Sequence, residues 1–244
     1  MRYPRIYSPQ TLLPNTQIQL EENAFNHAIR VLRLKQGARL KLFDGQGNEY
    51  EATLSSVEKK RAYASIGKQL QNDVESSLDL VMGQCISRGD KMDYTVQKAV
   101  ELGINEITPL FSERCGVQLK GERLSKKEHH WQSIAISACE QCGRNQLPTL
   151  SSSNTIEHWV SNTDAELKLI LDPTETQTLT NLTPPSGRIA LLFGPEGGMT
   201  EQEIAIAKRH GFTGVRLGPR VLRTETAALA TISAIQVLWG DLGH

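Results

Sequence analysis

A chain of 244 residues with 27 Lys and Arg against 27 Asp and Glu, 39% apolar and 22% charged, has the make-up of an ordinary soluble protein of one large or two small domains. No apolar run approaches the roughly 18 residues of a membrane span, and Met-Arg-Tyr-Pro-Arg at the start lacks the apolar stretch of a signal peptide, so the cytoplasm is the expected location. Four cysteines are too few for a disulfide framework in a chain of this length.

The zero net charge hides an asymmetry. Residues 1–72 carry 11 Lys and Arg against 6 Asp and Glu, and residues 73–244 carry 16 against 21. A basic small module beside an acidic larger one suits an RNA binder with a separate catalytic domain, although a solvated charged face gives the same split. Within the basic part, Glu22 to Arg33 reads as one helix that places His27, Arg30 and Arg33 near one another. Arg30 and Arg33 are candidates to grip RNA phosphates, or members of a solvated helix face. Ala38–Leu42 and Tyr50–Leu54 alternate apolar with polar around the turn signal Asp44-Gly-Gln-Gly-Asn48, which predicts a small antiparallel barrel. Asn72–Ser77 is polar and aperiodic and is the expected linker, dividing the chain into domains 1–72 and 73–244.

Beyond the linker, strands and helices alternate. Leu78–Ile86 reads as a strand, Lys91–Leu102 as a helix ended by Gly103, and Glu106–Phe111 as a strand. Ser125 with Glu128 forms a capping-box signature for a long helix reaching about Cys142. Cys139 and Cys142 have redox or zinc-ligand spacing, but no second pair completes a metal site, and the helical repeat of Trp131, Ile134, Ala135, Ala138 and Cys142 accounts for burial instead; no metal is expected. Thr200 with Glu203 caps a helix that ends at Gly211. Such alternation implies an α/β fold, a mostly parallel sheet covered by helices. The last helix, Thr224–Trp239, is apolar over much of its circumference, which favours a dimer interface.

Two apolar stretches near the end, Ile189–Phe193 and Val215–Leu217, each run into glycine and then a helical pattern, so two backbone loops can meet at one edge of the sheet, where α/β proteins hold ligands. A phosphate cradle needs consecutive free N–H groups and usually a lysine, whereas Pro195 follows Gly194 and Pro219 follows Gly218. A nucleoside triphosphate or dinucleotide is therefore disfavoured. A flat, nearly uncharged ligand against bare backbone fits, as do plain tight turns feeding helices.

Gly194-Pro-Glu-Gly-Gly198 followed by Leu217-Gly-Pro-Arg-Val-Leu-Arg-Thr-Glu-Thr226 resembles the knotted SPOUT-class methyltransferases that modify N-3 of uridine 1498 in 16S rRNA. Weaker likenesses are Pro4-Arg-Ile-Tyr7, Arg114-Cys-Gly-Val117 and Cys139-Glu-Gln-Cys-Gly-Arg144. The resemblance implies an N-terminal PUA-like β-barrel, a C-terminal trefoil-knotted sheet, a homodimer, 16S rRNA within the small ribosomal subunit as partner, and S-adenosylmethionine as cofactor. Carried over, it implies cofactor binding by Leu171, Phe193, Gly194, Glu196, Gly198, Leu217, Gly218, Leu222 and Thr224. Arg223 is the first candidate to stabilise charge on the uracil, because a guanidinium stays protonated; the alternative is a structural ion pair with Glu225 or Glu196. Glu140 and Arg144 rank second as catalytic candidates, and Arg5 joins Arg30 and Arg33 as an expected RNA contact. Two other readings stand beside this one: a non-enzymatic RNA-binding module, and a phosphate-ligand enzyme of ordinary doubly wound fold, which the two prolines argue against.

Overall fold

The computed structural model describes residues 3–72, 74–117 and 119–243; Asp73, in the expected linker, lies outside them. Two compact units divide the chain, one made of Met1–Glu75 with Ile136–Leu147 and the other of Ser76–Ala135 with Pro148–His244. The stretch 136–147, which its helical repeat would assign to the later domain, thus counts with the first.

In the first unit, strands β1 (Arg5–Tyr7), β2 (Gln17–Gln19), β3 (Arg39–Phe43), β4 (Glu49–Val57) and β5 (Ala62–Leu70) form one sheet in the order β1-β3-β4-β5-β2. The alternation read from the sequence is what buries one face: Leu40 and Leu42 on β3 and Tyr50, Ala52 and Leu54 on β4 point inward, while Arg39, Glu51 and Thr53 stay in water. Asp44 accepts from the backbone N–H groups of Gln46 and Asn48, and Gly45 and Gly47 take positive φ angles, so the expected turn is made. One pairing departs from the antiparallel expectation, since β1 runs parallel to β3.

The expected helix Glu22–Arg33 is shorter and changes type. Helix α1 spans only Glu22–Phe25, the chain continues as a π-helix over Asn26–Val31, and Arg33 lies beyond it at φ 55°. Ala24, Phe25 and Ala28 from this segment pack onto Ile6, Leu20 and Leu42. The wider turn keeps Phe25 and Ala28 on the buried side.

Arg5, expected to contact RNA, is buried and fully engaged. Its Nε donates to Glu49 at 2.6 Å, its other nitrogens donate to the carbonyls of Cys139 and Arg144 and to the side chain of Asn145, and its guanidinium lies 4.6 Å from the Phe43 ring centroid. It therefore caps the carboxyl end of a helix, where a cation satisfies orphan carbonyls. Arg144 is likewise buried, with Nε 2.8 Å from Glu75, whose other oxygen accepts from the N–H groups of Asn145 and Gln146. Burial pushes the Cys139 thiol up to about 12, which leaves it an inert core group.

The second unit is built on β6 (Leu80–Cys85), α2 (Lys91–Glu101), β7 (Glu106–Phe111), the first part of α3 (Gly121–Cys142), β8 (Thr149–Leu150), β9 (Asn154–Thr155), α4 (Ile156–Asn162), β10 (Leu167–Leu171), β11 (Ile189–Phe193), α5 (Glu201–Arg209), β12 (Thr213–Val215) and α6 (Thr224–Trp239). Its seven strands run β12-β10-β11-β6-β7-β8, with β9 also on β7, and every pairing is parallel. β6 and β11 are buried along their whole length, as strands covered on both faces must be. At Gly83 in β6 a Cβ would lie 2.7 Å from Leu110 and 2.8 Å from Trp159, so helix α4 can approach only a glycine there. Thr200 and Glu203 exchange both bonds of the capping box ahead of α5. Ser125 and Glu128 do not start α3, which begins at Gly121; the Glu128 carboxylate accepts instead from the backbone of Ser153. Among the described residues no helix is long and apolar enough to cross a membrane, and no group of three or more His, Cys, Asp or Glu is placed to hold a metal ion.

Replacing Arg5 by Met leaves Glu49 buried with Lys41 as its remaining cation and strips the carbonyls of Cys139 and Arg144 of a donor. The expected loss is about 3–5 kcal/mol of stability, read from urea unfolding of the whole chain. A loss of less than about 0.5 kcal/mol, as for a surface arginine, would return Arg5 to the surface role.

Candidate functional site

Parallel strands leave their carboxyl ends on one side, and in the second unit the segments that follow β10, β11 and β12 enclose a cavity of about 830 Å³ there. Leu171 with Asp172, then Phe193 to Met199, then Val215 to Thr224 supply its walls, and Ile204 of α5 adds an apolar side. Of the expected cofactor residues, Leu171, Phe193, Gly194, Glu196, Gly198, Leu217, Leu222 and Thr224 all line it. Gly218 does not, and serves the loop through its backbone: φ is 73°, and a Cβ there would meet no atom within 4 Å. Gly194 has another role, because a Cβ at this position would come within 3.0 Å of the Met199 side chain.

The loops are tied together by one buried hydroxyl. Thr224 donates to the carbonyl of Gly194 at 2.6 Å and accepts from Nε2 of Gln84 at 3.0 Å. Gln84 is fully buried at the end of β6 and also donates to the Cys85 carbonyl. Sequence reading passed over Gln84 and Met199; a lone glutamine closing an otherwise apolar strand was the available signal for the first, and nothing marked the second.

Glu196 faces Lys91 at 2.9 Å and accepts from the backbone N–H of Arg88 at 3.3 Å. Desolvation works to raise its pKa, but the Lys91 hydrogen bond and the Arg88 N–H outweigh it and hold the carboxyl below its ordinary value. With Glu196 so engaged, Arg223 has no ion pair with it. Arg223 is exposed at the residue before α6, lines the cavity, and makes no ion pair with any described residue.

Glu140 and Arg144 belong to the network of the first unit. Glu140 accepts from the Tyr7 backbone at 3.0 Å and pairs with Nδ1 of His27 at 2.8 Å. Arg30 and Arg33 are exposed in the same unit, with the Arg30 guanidinium 5.8 Å from the Phe25 ring centroid.

A family model of the RNA methyltransferase domain matches residues 74–236, and a model of the RNA methyltransferase PUA domain matches residues 20–67. The chain is 38% identical to the ribosomal RNA small subunit methyltransferase E of Buchnera aphidicola subsp. Schizaphis graminum, over 99% of its own length and 98% of that protein's. The chain belongs to the ribosomal RNA small subunit methyltransferase E family. The Bacillus subtilis member is 28% identical over 88% of this chain and 90% of its own. Among solved structures, the family member from Neisseria gonorrhoeae bound to S-adenosyl methionine superposes with a TM-score of 0.93 at 43% identity, covering 99% of this chain and all of that one. A Legionella pneumophila methyltransferase in complex with the same cofactor gives 0.96 at 42%, with the same coverage. The enzyme is thus an RNA methyltransferase with a PUA-like N-terminal domain and a methyltransferase domain on a parallel sheet.

The His27 pair gives a pH dependence with a definite sign. Its hydrogen bond to Glu140, opposed by partial burial, raises the His27 pKa above 6.5. A raised folded-state pKa means that the contribution to stability is complete below pH 6.5 and is lost as pH rises through the folded value. Urea midpoints measured from pH 5.5 upward should decline for the natural chain and stay flatter for His27→Gln; parallel curves would remove the pair from the stability balance.

Proposed function

We propose that this enzyme transfers the methyl group of S-adenosylmethionine to N-3 of uridine 1498 in 16S rRNA, within the small ribosomal subunit, as a homodimer in the cytoplasm. The observation that carries the reading is the Arg223 guanidinium, exposed and without an ion pair to any described residue, at the edge of a cavity walled by backbone loops. A cavity of about 830 Å³ suits a small-molecule ligand. Proline at 195 and 219 withholds the N–H groups a phosphate would need, and S-adenosylmethionine carries no phosphate.

When bound, the cofactor supplies an electrophilic methyl group on a sulfonium. Leu171, Phe193, Leu217 and Leu222 exclude water from its surroundings, and Gly194, Glu196, Gly198 and Gly218 shape the polar edge that would hold it. Thr224 holds the two loops in register through Gly194 and Gln84. Arg223 stabilises the negative charge left on the uracil when N-3 gives its proton to water, so that the N–CH3 bond can form as the S–CH3 bond breaks and the sulfur leaves as a neutral thioether, with binding at close quarters supplying the rest of the acceleration. Glu140 and Arg144 act as scaffold and not as catalysts.

Strand order supports the trefoil knot. After β12 the chain must recross β10 and β11 for Thr224 to reach Gln84 of β6. The dimer reading rests on an apolar surface at the packed helices α2 and α6, where Tyr94, Val237 and Leu238 are exposed and a second copy would cover them. Residues 1–72 form the core of the RNA-positioning domain, and 73–244 carry the catalytic one.

Removing one charge-stabilising donor typically costs about 10²–10³ in rate. Arg223→Ala is expected to lose turnover on that scale with melting temperature and cofactor affinity little changed, and Arg223→Lys to recover only part. Single-turnover methylation per folded molecule decides this, and near-normal turnover would sink the role. Gly218→Val forces a branched side chain into a left-handed backbone at about 1–3 kcal/mol of local strain. It should weaken S-adenosylmethionine binding by more than about tenfold while the protein stays folded; unchanged calorimetric affinity would take this turn out of the site.

A further inference from the structure

Val221 and Val31 are the two most exposed large apolar side chains among the described residues, at 85% and 68% of full exposure. Each is the second residue of the same tetrapeptide: Arg30-Val31-Leu32-Arg33 in the first unit and Arg220-Val221-Leu222-Arg223 in the second. The second copy borders the cavity described above. The first stands at the end of the π-helix Asn26–Val31, a helix type that recurs at functional sites. Its four residues are all exposed, Leu32 at 39%.

The backbone is shaped to keep them so. The Leu32 N–H closes on the His27 carbonyl at 2.9 Å, Arg33 takes a left-handed φ of 55°, and the Leu34 N–H returns to the Ala28 carbonyl at 3.0 Å while its side chain packs on the core. A non-glycine residue held in that region is a strained feature that persists where the surroundings fix it. Arg30, Arg33 and Lys35 thus flank an apolar tip that no described residue covers, and none of the three makes an ion pair with a described residue. Unneutralised cations around an exposed apolar side chain complement a polyanion whose bases can present a flat apolar face.

We propose that the Arg30–Arg33 tip is an RNA-contact surface in which Arg30 and Arg33 hold phosphates while Val31 packs against an unstacked base. This rests on the reading that the substrate is RNA, and it goes further by assigning Val31 the apolar part of the contact. RNA-binding proteins use cations for backbone phosphates and apolar side chains for exposed bases, and the two kinds of contact respond differently to salt.

That difference is the test. Binding of the full-length protein to transcribed 16S rRNA is measured from low to high salt for the natural chain, Val31→Ser, Arg30→Gln and Arg33→Gly. The last substitution removes the cation and relieves the left-handed strain, so it does not threaten the fold. Val31→Ser should weaken binding about tenfold at every salt concentration with the slope unchanged. Each arginine substitution should reduce the slope of log affinity against log salt by about 0.7–0.9. Cofactor affinity should not move, and no variant should melt well below the natural chain. Three results overturn the proposal: variants that bind 16S rRNA like the natural chain, a Val31→Ser effect that vanishes at high salt, or a change of sedimentation mass showing that Val31 faces a second copy instead. A natural chain that binds no 16S rRNA sinks this assignment together with the substrate reading, whereas normal binding by the natural chain with unaltered variants sinks the assignment alone.

Discussion

The hydroxyl of Thr224 sits where three separate stretches of the second unit come together. It donates a hydrogen bond to the carbonyl of Gly194 after β11 and accepts one from Gln84 at the end of β6, while it is itself the first residue of α6. The residue before it, Arg223, offers no side-chain cap to the helix, so the anchoring of this helix start falls to Thr224. Because a buried hydroxyl without partners is costly, the three stretches hold one another in a single arrangement. That arrangement leaves Arg223 on the open side of the bond, with its backbone fixed and its side chain exposed.

The parallel sheet was legible because its strands are continuous apolar runs separated by helical periods, and β6 and β11 lie within a residue or two of where the pattern put them. The cavity was legible for a different reason: glycine and proline restrict backbone so strongly that Gly194-Pro195 and Gly218-Pro219 mark loop ends on chemistry alone. Helix starts were less secure. Thr200 with Glu203 and Ser125 with Glu128 are the same signature, yet only the first caps a helix: α3 begins at Gly121, so Ser125 lies a turn inside it, and the Glu128 carboxylate accepts from the Ser153 backbone instead.

The charged residues show the limit most clearly. Arg5 and Arg33 are identical in composition terms, but one is buried under Phe43 and bonded to carbonyls more than 130 positions away, and the other is in water. Local sequence carries no information about which carbonyls at a distant helix end lack a donor, so a buried structural arginine and an arginine on the surface read alike. The same holds for Gly194, where the close neighbour is Met199 and a short residue was needed for packing.

The first unit is discontinuous, and this bears on how the molecule is made. Arg5 leaves the ribosome well before the Cys139 and Arg144 carbonyls it bonds, which follow 134 and 139 positions later, with all of 76–135 in between. At about 5–20 residues per second, synthesis places seconds between a guanidinium and its acceptors. During that time the N-terminal sheet can form its hairpins and pair Arg5 with Glu49, but the remaining nitrogens of the guanidinium beside Phe43 lack their acceptors. Its completion is therefore timed by the elongation of the other unit, so the domain that is translated first need not be the one that finishes folding first.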